Sequence, residues 1–201
     1  MDSKLVLIGI IESQENKNTL EFIKELLIEL NYQIIYSNSK KSVIFLKGED
    51  NGLVLMDINP KETQVYESVG IEFHILIHNF IKSKDYERDL LSEKLTNCQY
   101  YILNSDDENW TSLPLGLLNG VVITYGFNSK STLTISSYDI NQSLVANIYL
   151  QREILSLSGK RIEPFEFSVK IDSKNKDNIY SVLAATALAL ILGHKNPYIK
   201  L

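Results

Sequence analysis

The residues that decide the fold are 5–30, LVLIGIIESQENKNTLEFIKELLIEL. The stretch opens with a continuous apolar run over 5–11, which predicts a strand buried on both faces of a sheet. From Thr19 to Leu30 the apolar residues recur at helical spacing, which predicts an amphipathic helix. A strand, a short polar loop with one lysine, and a helix together form the layout of a phosphate-binding loop.

The loop from Glu12 to Asn18 departs from that layout because it contains no glycine. A phosphate-binding loop needs glycines so that its backbone can adopt positive φ angles and point several N–H groups at the phosphates. Glu12 and Glu15 also bring negative charge, and each would repel a phosphate charge about 5 Å away by roughly 3 kcal/mol. Two interpretations stay open: a strand–turn–helix connection with a solvated Lys17, or a phosphate site in which Lys17 and Thr19 still act.

Composition and charge limit the classes of function. The 201 residues are 44% apolar and 22% charged, which is typical of a globular protein. A formal net charge of −5 and a pI near 5.3 argue against nucleic acid or an anionic membrane as the partner. The apolar runs are too short to span a bilayer and the first one is typical of a buried strand, not of a signal peptide, so we expect a cytoplasmic protein. Cys98 is the single cysteine, which excludes an intrachain disulfide.

The first half of the chain alternates predicted strands with predicted helices. Its further elements are a charged helix over 84–95 and strands at 32–37, 42–48, 52–58, 73–80 and 99–107. Such alternation favours a mostly parallel sheet with helices packed on it, and therefore an α/β fold. Few helices are predicted between 32 and 80, so we expect some of the strands there to pair antiparallel.

The second half of the chain has a different sequence pattern. Over 121–171, β-prone segments of mixed alternation are separated by Asn, Ser and Gly turns, which predicts an antiparallel β elaboration. The stretch 178–193, NIYSVLAATALALILG, predicts a largely buried helix that ends at Gly193. Because no linker separates the two halves, we predict a single domain over 1–201.

Several segments, taken in order, resemble the central domain of the Mur ligases, which are ATP-dependent amide ligases of peptidoglycan precursor synthesis. The stretch 178–193 looks like the last central-domain helix, which the family opens with Gly-x-His-Asn-x-x-Asn-Ala-Leu-Ala-Ala. NSDD (104–107) is similar to the family's Asn-x-Asp-Asp turn, and LVLMDI (53–58) to the strand that ends in a metal-binding glutamate. The opening loop falls where the family has Gly-Thr-Asn-Gly-Lys-Thr. The resemblance covers nearly the whole chain and implies a three-layer α/β/α fold with a mostly parallel sheet.

The resemblance also implies a site for ATP and Mg²⁺. Lys17 matches the lysine of the family's loop and Thr19 the second of its Thr/Ser positions. Asp57 stands where the family has its metal-binding glutamate, and Asn178 matches the first asparagine of the adenine-side segment. If the site is retained, Lys17 would contact phosphate, Thr19 and Asp57 would bind Mg²⁺, and Asn178 would lie near adenine.

This chain also departs from the family in ways that concern catalysis. The loop glycines are replaced, and the Asp-His segment after the next strand is absent, with His78 and Asn79 nearest to it. The family's N-terminal and C-terminal flanking domains have no counterpart in the 201 residues, so we expect no closed catalytic cleft from this chain alone. We therefore predict a catalytically degenerate module that binds a protein partner or a small ligand, without ATP-dependent ligation on its own and with no assigned cofactor. The alternative is the ATP-binding subunit of an ATP-dependent amide ligase that a separate polypeptide completes.

Overall fold

The computed structural model describes residues 4–13, 18–38, 40, 42–60, 63–79, 96–109, 115–139, 144–171 and 178–194. Its α-helices are α1 (Thr19–Glu29), α2 (Thr63–Ser68) and α3 (Asn178–Ile191), and a 3-10 turn spans Leu115–Leu117. Its strands are β1 (Lys4–Ile11), β2 (Gln33–Asn38), β3 (Val43–Lys47), β4 (Asn51–Ile58), β5 (Ile75–His78), β6 (Tyr100–Asn104), β7 (Val121–Tyr125), β8 (Leu133–Asp139), β9 (Leu144–Leu150), β10 (Ile154–Leu155), β11 (Arg161–Ile162) and β12 (Phe165–Ile171). Within these residues, the helices are too short or too polar to cross a membrane.

Most of the described strands form one ten-stranded sheet in the order β12-β9-β8-β7-β6-β5-β1-β4-β3-β2. The five central strands, from β7 to β4, all run parallel. β2 and β3 continue the sheet antiparallel at one end, and β8, β9 and β12 pair antiparallel at the other. The α/β class and the mostly parallel sheet predicted from the sequence are therefore confirmed.

Helices cover both faces of the sheet, which gives the predicted three layers. On one face α1 and α3 pack against each other and against the larger hydrophobic core. α3 is enclosed, and every side chain from 181 to 191 is buried. On the other face a smaller core forms around Phe73 and Tyr101, with Tyr66 of α2 packed against it.

The predicted antiparallel elaboration over 121–171 is confirmed for β8, β9 and β12 but begins later than expected. β7 lies inside that range, yet it pairs parallel with β6, and Tyr125 at its end pairs parallel with Leu133 of β8. The connection from β6 to β7 spans 105–120, which is long enough for the crossover that a parallel pair needs. The helix predicted over 84–95 lies outside the described residues, and neither α2 nor the small β10–β11 hairpin was predicted.

Candidate functional site

Four adjacent parallel strands end at one edge of the sheet, and buried polar residues gather there. Glu12 and Asn79 directly follow β1 and β5, while Asn104 and Tyr125 are the last residues of β6 and β7. α1 and α3 both begin at this edge. The carboxyl edge of a parallel sheet is where α/β proteins bind their ligands, so this cluster is the candidate site.

Thr19, the first residue of α1, is at the centre of the cluster. Its hydroxyl Oγ1 lies 2.5 Å from Oε2 of Glu12, 2.7 Å from Nδ2 of Asn79 and 3.0 Å from Oγ of Ser181. A hydroxyl has one proton and two lone pairs. Because Thr19 donates its proton to Glu12, it must accept from both Asn79 and Ser181. The hydrogen-bonding capacity of this buried hydroxyl is therefore used up within the protein.

The side chain of Asn79 extends the network across the sheet. Its Oδ1 accepts hydrogen bonds from the Tyr125 hydroxyl at 3.1 Å and from Nδ2 of Asn104 at 3.4 Å. Burial, and then the negative charge of Glu12, raise the pKa of Tyr125 well above its usual value, so that the hydroxyl stays protonated and donates. A chain of donors thus runs from β7 and β6 through Asn79 and Thr19 and ends on the Glu12 carboxylate.

Asp57 lies at the end of β4, beside the start of α1. Its side chain is only 8% exposed and lines a pocket of about 170 Å³ together with Ser37, Ser42 and Glu21. Carboxylate, hydroxyl and carbonyl oxygens are the donors that Mg²⁺ accepts in proteins, so Asp57 fits a metal ligand. The hydroxyl of Thr19 fits that role less well, because both of its lone pairs already accept hydrogen bonds.

A second polar pair, His78 and Asp107, is buried near the same edge. Nε2 of His78 lies 3.8 Å from Oδ2 of Asp107, which is too far for a hydrogen bond. Neither ring nitrogen of His78 has a hydrogen-bond partner in the part of the chain that the structure describes. Burial lowers the pKa of His78 to about 4, against the opposing attraction of Asp107, so the ring is neutral at pH 7.

Asp106 organises the turn that follows β6. Its carboxylate accepts hydrogen bonds from the N–H of Phe127 at 2.6 Å and from the hydroxyl of Tyr180 at 3.3 Å. Its own N–H donates to the side chain of Asn104 at 3.0 Å, as expected of a turn that an asparagine stabilises. Asp106 and Asp107 therefore contact different partners, and the NSDD stretch is a structured turn.

The structure places the four predicted site residues in different surroundings or leaves them undescribed. Lys17 lies outside the described residues. Thr19 is brought into contact with Glu12, and Asp57 lines the neighbouring pocket. Asn178 is the first residue of α3, as the resemblance implied, but its side chain is not described. The roles assigned to these four residues toward ATP and Mg²⁺ stay predictions.

From the sequence, Glu12 is expected only to repel phosphate, whereas in the structure it accepts a hydrogen bond from Thr19. The contacts by which Asn79 joins Thr19 to Asn104 and Tyr125 were not predicted either. A signal was available, because Glu12 follows a predicted strand, Asn79 and Asn104 lie in the second halves of predicted strands, and the carboxyl ends of parallel strands meet at one edge.

Comparison with known proteins gives matches at the level of structure. No protein-family model matches the sequence, and no curated protein matches it either. A UDP-N-acetylmuramoyl-L-alanyl-D-glutamate–2,6-diaminopimelate ligase superposes with a TM-score of 0.68 at 11% identity, over 98% of this chain and 47% of the ligase. The MurF ligase of Thermotoga maritima, solved in complex with ADP, gives a TM-score of 0.64 at 12% identity, over 100% and 49% of the two chains. A pseudomurein peptide ligase type C from Methanothermus fervidus gives 0.52 at 14% identity, over 100% and 51%.

These similarities concern the fold, because identities of 11–14% carry no information about individual site residues. The chain spans about half the length of each of the three ligases. The superpositions cover nearly all of this chain, so its sheet and helices match about half of each enzyme. The resemblance seen in the sequence is thus confirmed, and this chain has the fold of the Mur-ligase central domain.

Proposed function

We propose that this chain is a catalytically degenerate version of the Mur-ligase central domain, which binds a protein partner or a small ligand and does not carry out ATP-dependent ligation on its own. The observation that carries the proposal is the 2.5 Å hydrogen bond from Thr19 to the Glu12 carboxylate. It places a buried negative group at the start of α1, where the family resemblance puts the phosphates of ATP.

Electrostatics support this proposal. A phosphate about 5 Å from the Glu12 carboxylate would be repelled by roughly 3 kcal/mol at an effective dielectric constant near 20. The start of a helix favours an anion by about 1 kcal/mol, which is too little to offset that repulsion. The Glu12 carboxylate lies at this helix start, where it accepts the hydrogen bond from the Thr19 hydroxyl.

The hydrogen-bond network around Thr19 is complete within the protein, and this also supports the proposal. Asn79, Asn104, Ser181 and Tyr125 donate to one another or to Thr19 and need no ligand to satisfy them. A ligand that required the Thr19 hydroxyl would have to break buried hydrogen bonds, each of which contributes about 1 kcal/mol.

A second candidate function is the ATP-binding subunit of an ATP-dependent amide ligase that another polypeptide completes. The observation that favours it is the pocket beside the start of α1, because Asp57 is buried there at the end of β4, at the position expected of a magnesium ligand. In this case Lys17 would bind phosphate and Asn178 would lie near adenine.

Isothermal titration calorimetry with ATP and Mg²⁺ separates the two. We expect no binding heat at millimolar ATP for the unmodified chain. Binding tighter than about 100 μM, or roughly 5.5 kcal/mol, that Lys17→Ala abolishes would overturn the degenerate module and support the ligase subunit.

A pair of charge variants tests the role of Glu12 itself. Glu12→Gln removes the charge but retains an oxygen that accepts the Thr19 proton, and it should raise ATP affinity. Glu25→Gln removes an equal charge from the exposed side of α1, outside the lining of the Asp57 pocket, and is the matched control. Equal nucleotide affinity in both variants would show that the Glu12 carboxylate is not what excludes phosphate.

A further inference from the structure

β2 is an outermost strand of the ten-stranded sheet, and its residues from 33 to 37 are all exposed. An edge strand has N–H and C=O groups that point away from its one neighbour, here β3, and that can pair with a further strand. None of the residues of β2 belongs to the hydrogen-bond network around Thr19. What this strand binds is therefore independent of the proposed function.

The two outermost strands of the sheet differ in charge. β12, at the other end of the sheet, carries Glu166 and Lys170 among its exposed residues. Charged side chains on an edge strand oppose pairing with another chain, because pairing would bring them out of water. β2, with the sequence QIIYSN, has no charged residue, although the whole chain has a net charge of −5. Two copies of β2 can therefore approach each other without like-charge repulsion between the strands.

Apolar side chains occupy the middle of β2. Ile34 is 43% exposed, Ile35 63% and Tyr36 50%. Phe45 of β3 contacts the Tyr36 ring edge to face and is itself 39% exposed. Ile35 is the extra residue of a β-bulge between Ile34 and Tyr36, and a bulge disrupts the hydrogen-bond ladder locally. We therefore expect a short contact that is centred on these apolar residues and buries them.

The two ends of β2 lie beside opposite charges. Lys40 is exposed in the turn that joins the carboxyl end of β2 to β3. Glu49 and Asp50 are exposed in the turn from β3 to β4, which lies beside the amino end of β2 because Gln33 pairs with Lys47. These two carboxylates outweigh the single charge of Lys47. Within the described ranges, neither carboxylate forms an ion pair, and Lys40 forms none either.

The opposite charges at the two ends identify the partner and its direction. When two β2 strands pair antiparallel, the carboxyl end of each strand lies beside the amino end of the other. Lys40 of each copy then lies near the acidic turn of the other copy, and a two-fold axis repeats this contact. Parallel pairing would instead bring like charges together. We propose that β2 pairs antiparallel with β2 of a second copy of this chain, so that the two sheets continue into one across a symmetric dimer.

The first test is sedimentation equilibrium of the full chain over a range of concentrations. We expect the average mass to rise from 22.9 kDa toward twice that value as the concentration increases, because dimerisation follows mass action. A chain that keeps a mass of 22.9 kDa up to submillimolar concentration would overturn the proposal.

A matched pair of variants then locates the interface. Ile35→Lys places a charge on β2, and Val69→Lys places one just after α2 at nearly the same exposure, 63% against 64%. Because both side chains are exposed, both variants are expected to fold. Ile35→Lys should weaken dimerisation at least about tenfold, since the dimer would bring two lysines together, and Val69→Lys should leave it unchanged. Dimerisation that Ile35→Lys leaves unaltered, or that both variants weaken equally, would show that β2 is not the interface.

Charge reversal tests the antiparallel direction. Lys40→Glu and Glu49→Lys should each weaken the dimer about tenfold, because an exposed ion pair contributes up to about fivefold and the dimer contains the contact twice. A chain with both substitutions again has opposite charges at the two ends, so it should dimerise as tightly as the unmodified chain. If the double variant dimerises no more tightly than the single variants, the two turns do not face each other and the antiparallel pairing is refuted.

Discussion

Replacing Thr19 by valine measures what the buried network at the carboxyl edge contributes to the free energy of unfolding. The substitution keeps the shape of the side chain and removes its hydroxyl. Glu12 then loses a charge-assisted hydrogen bond worth about 1.5–3 kcal/mol. The buried Nδ2 of Asn79 loses its acceptor, which costs about 1–3 kcal/mol more. We expect Thr19→Val to lower the free energy of unfolding by about 3–5 kcal/mol.

Thr186 offers a control of the same residue type and burial. Both threonines are 0% exposed and lie in helices, but Oγ1 of Thr186 has no hydrogen-bond partner among the described residues. Thr186→Val therefore removes a hydroxyl that already lacks a partner, and it should be neutral or stabilising by about 1 kcal/mol. Threonine and valine have similar helix propensities, so this term cancels between the two variants.

Urea unfolding followed by far-UV circular dichroism gives both free energies. The Thr19→Val midpoint should fall well below that of the unmodified chain, whereas the Thr186→Val midpoint should stay level or rise. If the two variants differ by less than about 1 kcal/mol, the network does not hold α1 to the sheet and no longer supports the proposed function.

Three further outcomes follow from other parts of the structure. Because the pKa of His78 is about 4 in the folded state and 6.5 when unfolded, the unfolded state binds the extra proton, and stability should fall by roughly 3 kcal/mol as pH drops from 6.5 to 4. Acid titration of the unfolding free energy should show this loss, and His78→Gln should reduce it. Gly126→Ala should destabilise by about 1–3 kcal/mol in urea unfolding, since φ is +153° and the new Cβ would lie 2.7 Å from the Asp106 carboxyl group. Burial raises the pKa of Cys98 to about 12, so a thiol reagent should label it only after unfolding, and rapid labelling of the folded chain would contradict its burial.

The fold was largely predictable because the sequence patterns that indicate strands and helices are local. The apolar runs and helical periodicity placed β4 at 52–58, against Asn51–Ile58 observed, and α1 at 19–30, against Thr19–Glu29 observed. The pairing of β7 was not predictable in this way. β-propensity is the same for parallel and antiparallel strands, and the direction of β7 depends on how the chain crosses over between 105 and 120.

The site was only partly predictable because its contacts join distant parts of the chain. Thr19 could be placed at the start of a helix from the sequence pattern alone. Its partner Asn79 is 60 residues away and reaches it because β5 pairs directly with β1. Ser181 is 162 residues away and depends on the packing of α3 against α1. From the sequence alone, Glu12 was therefore interpreted only as an additional negative charge. Its hydrogen bond with Thr19 can be predicted only when the order of the strands is known.

The polar groups of the network around Thr19 have partners within the protein, and this bears on whether a ligand binds there. At the carboxyl edge, the donors and acceptors of the network around Thr19 satisfy one another, and the chain of donors ends on the buried Glu12 carboxylate. A ligand gains little at such a site, because it must first break existing hydrogen bonds.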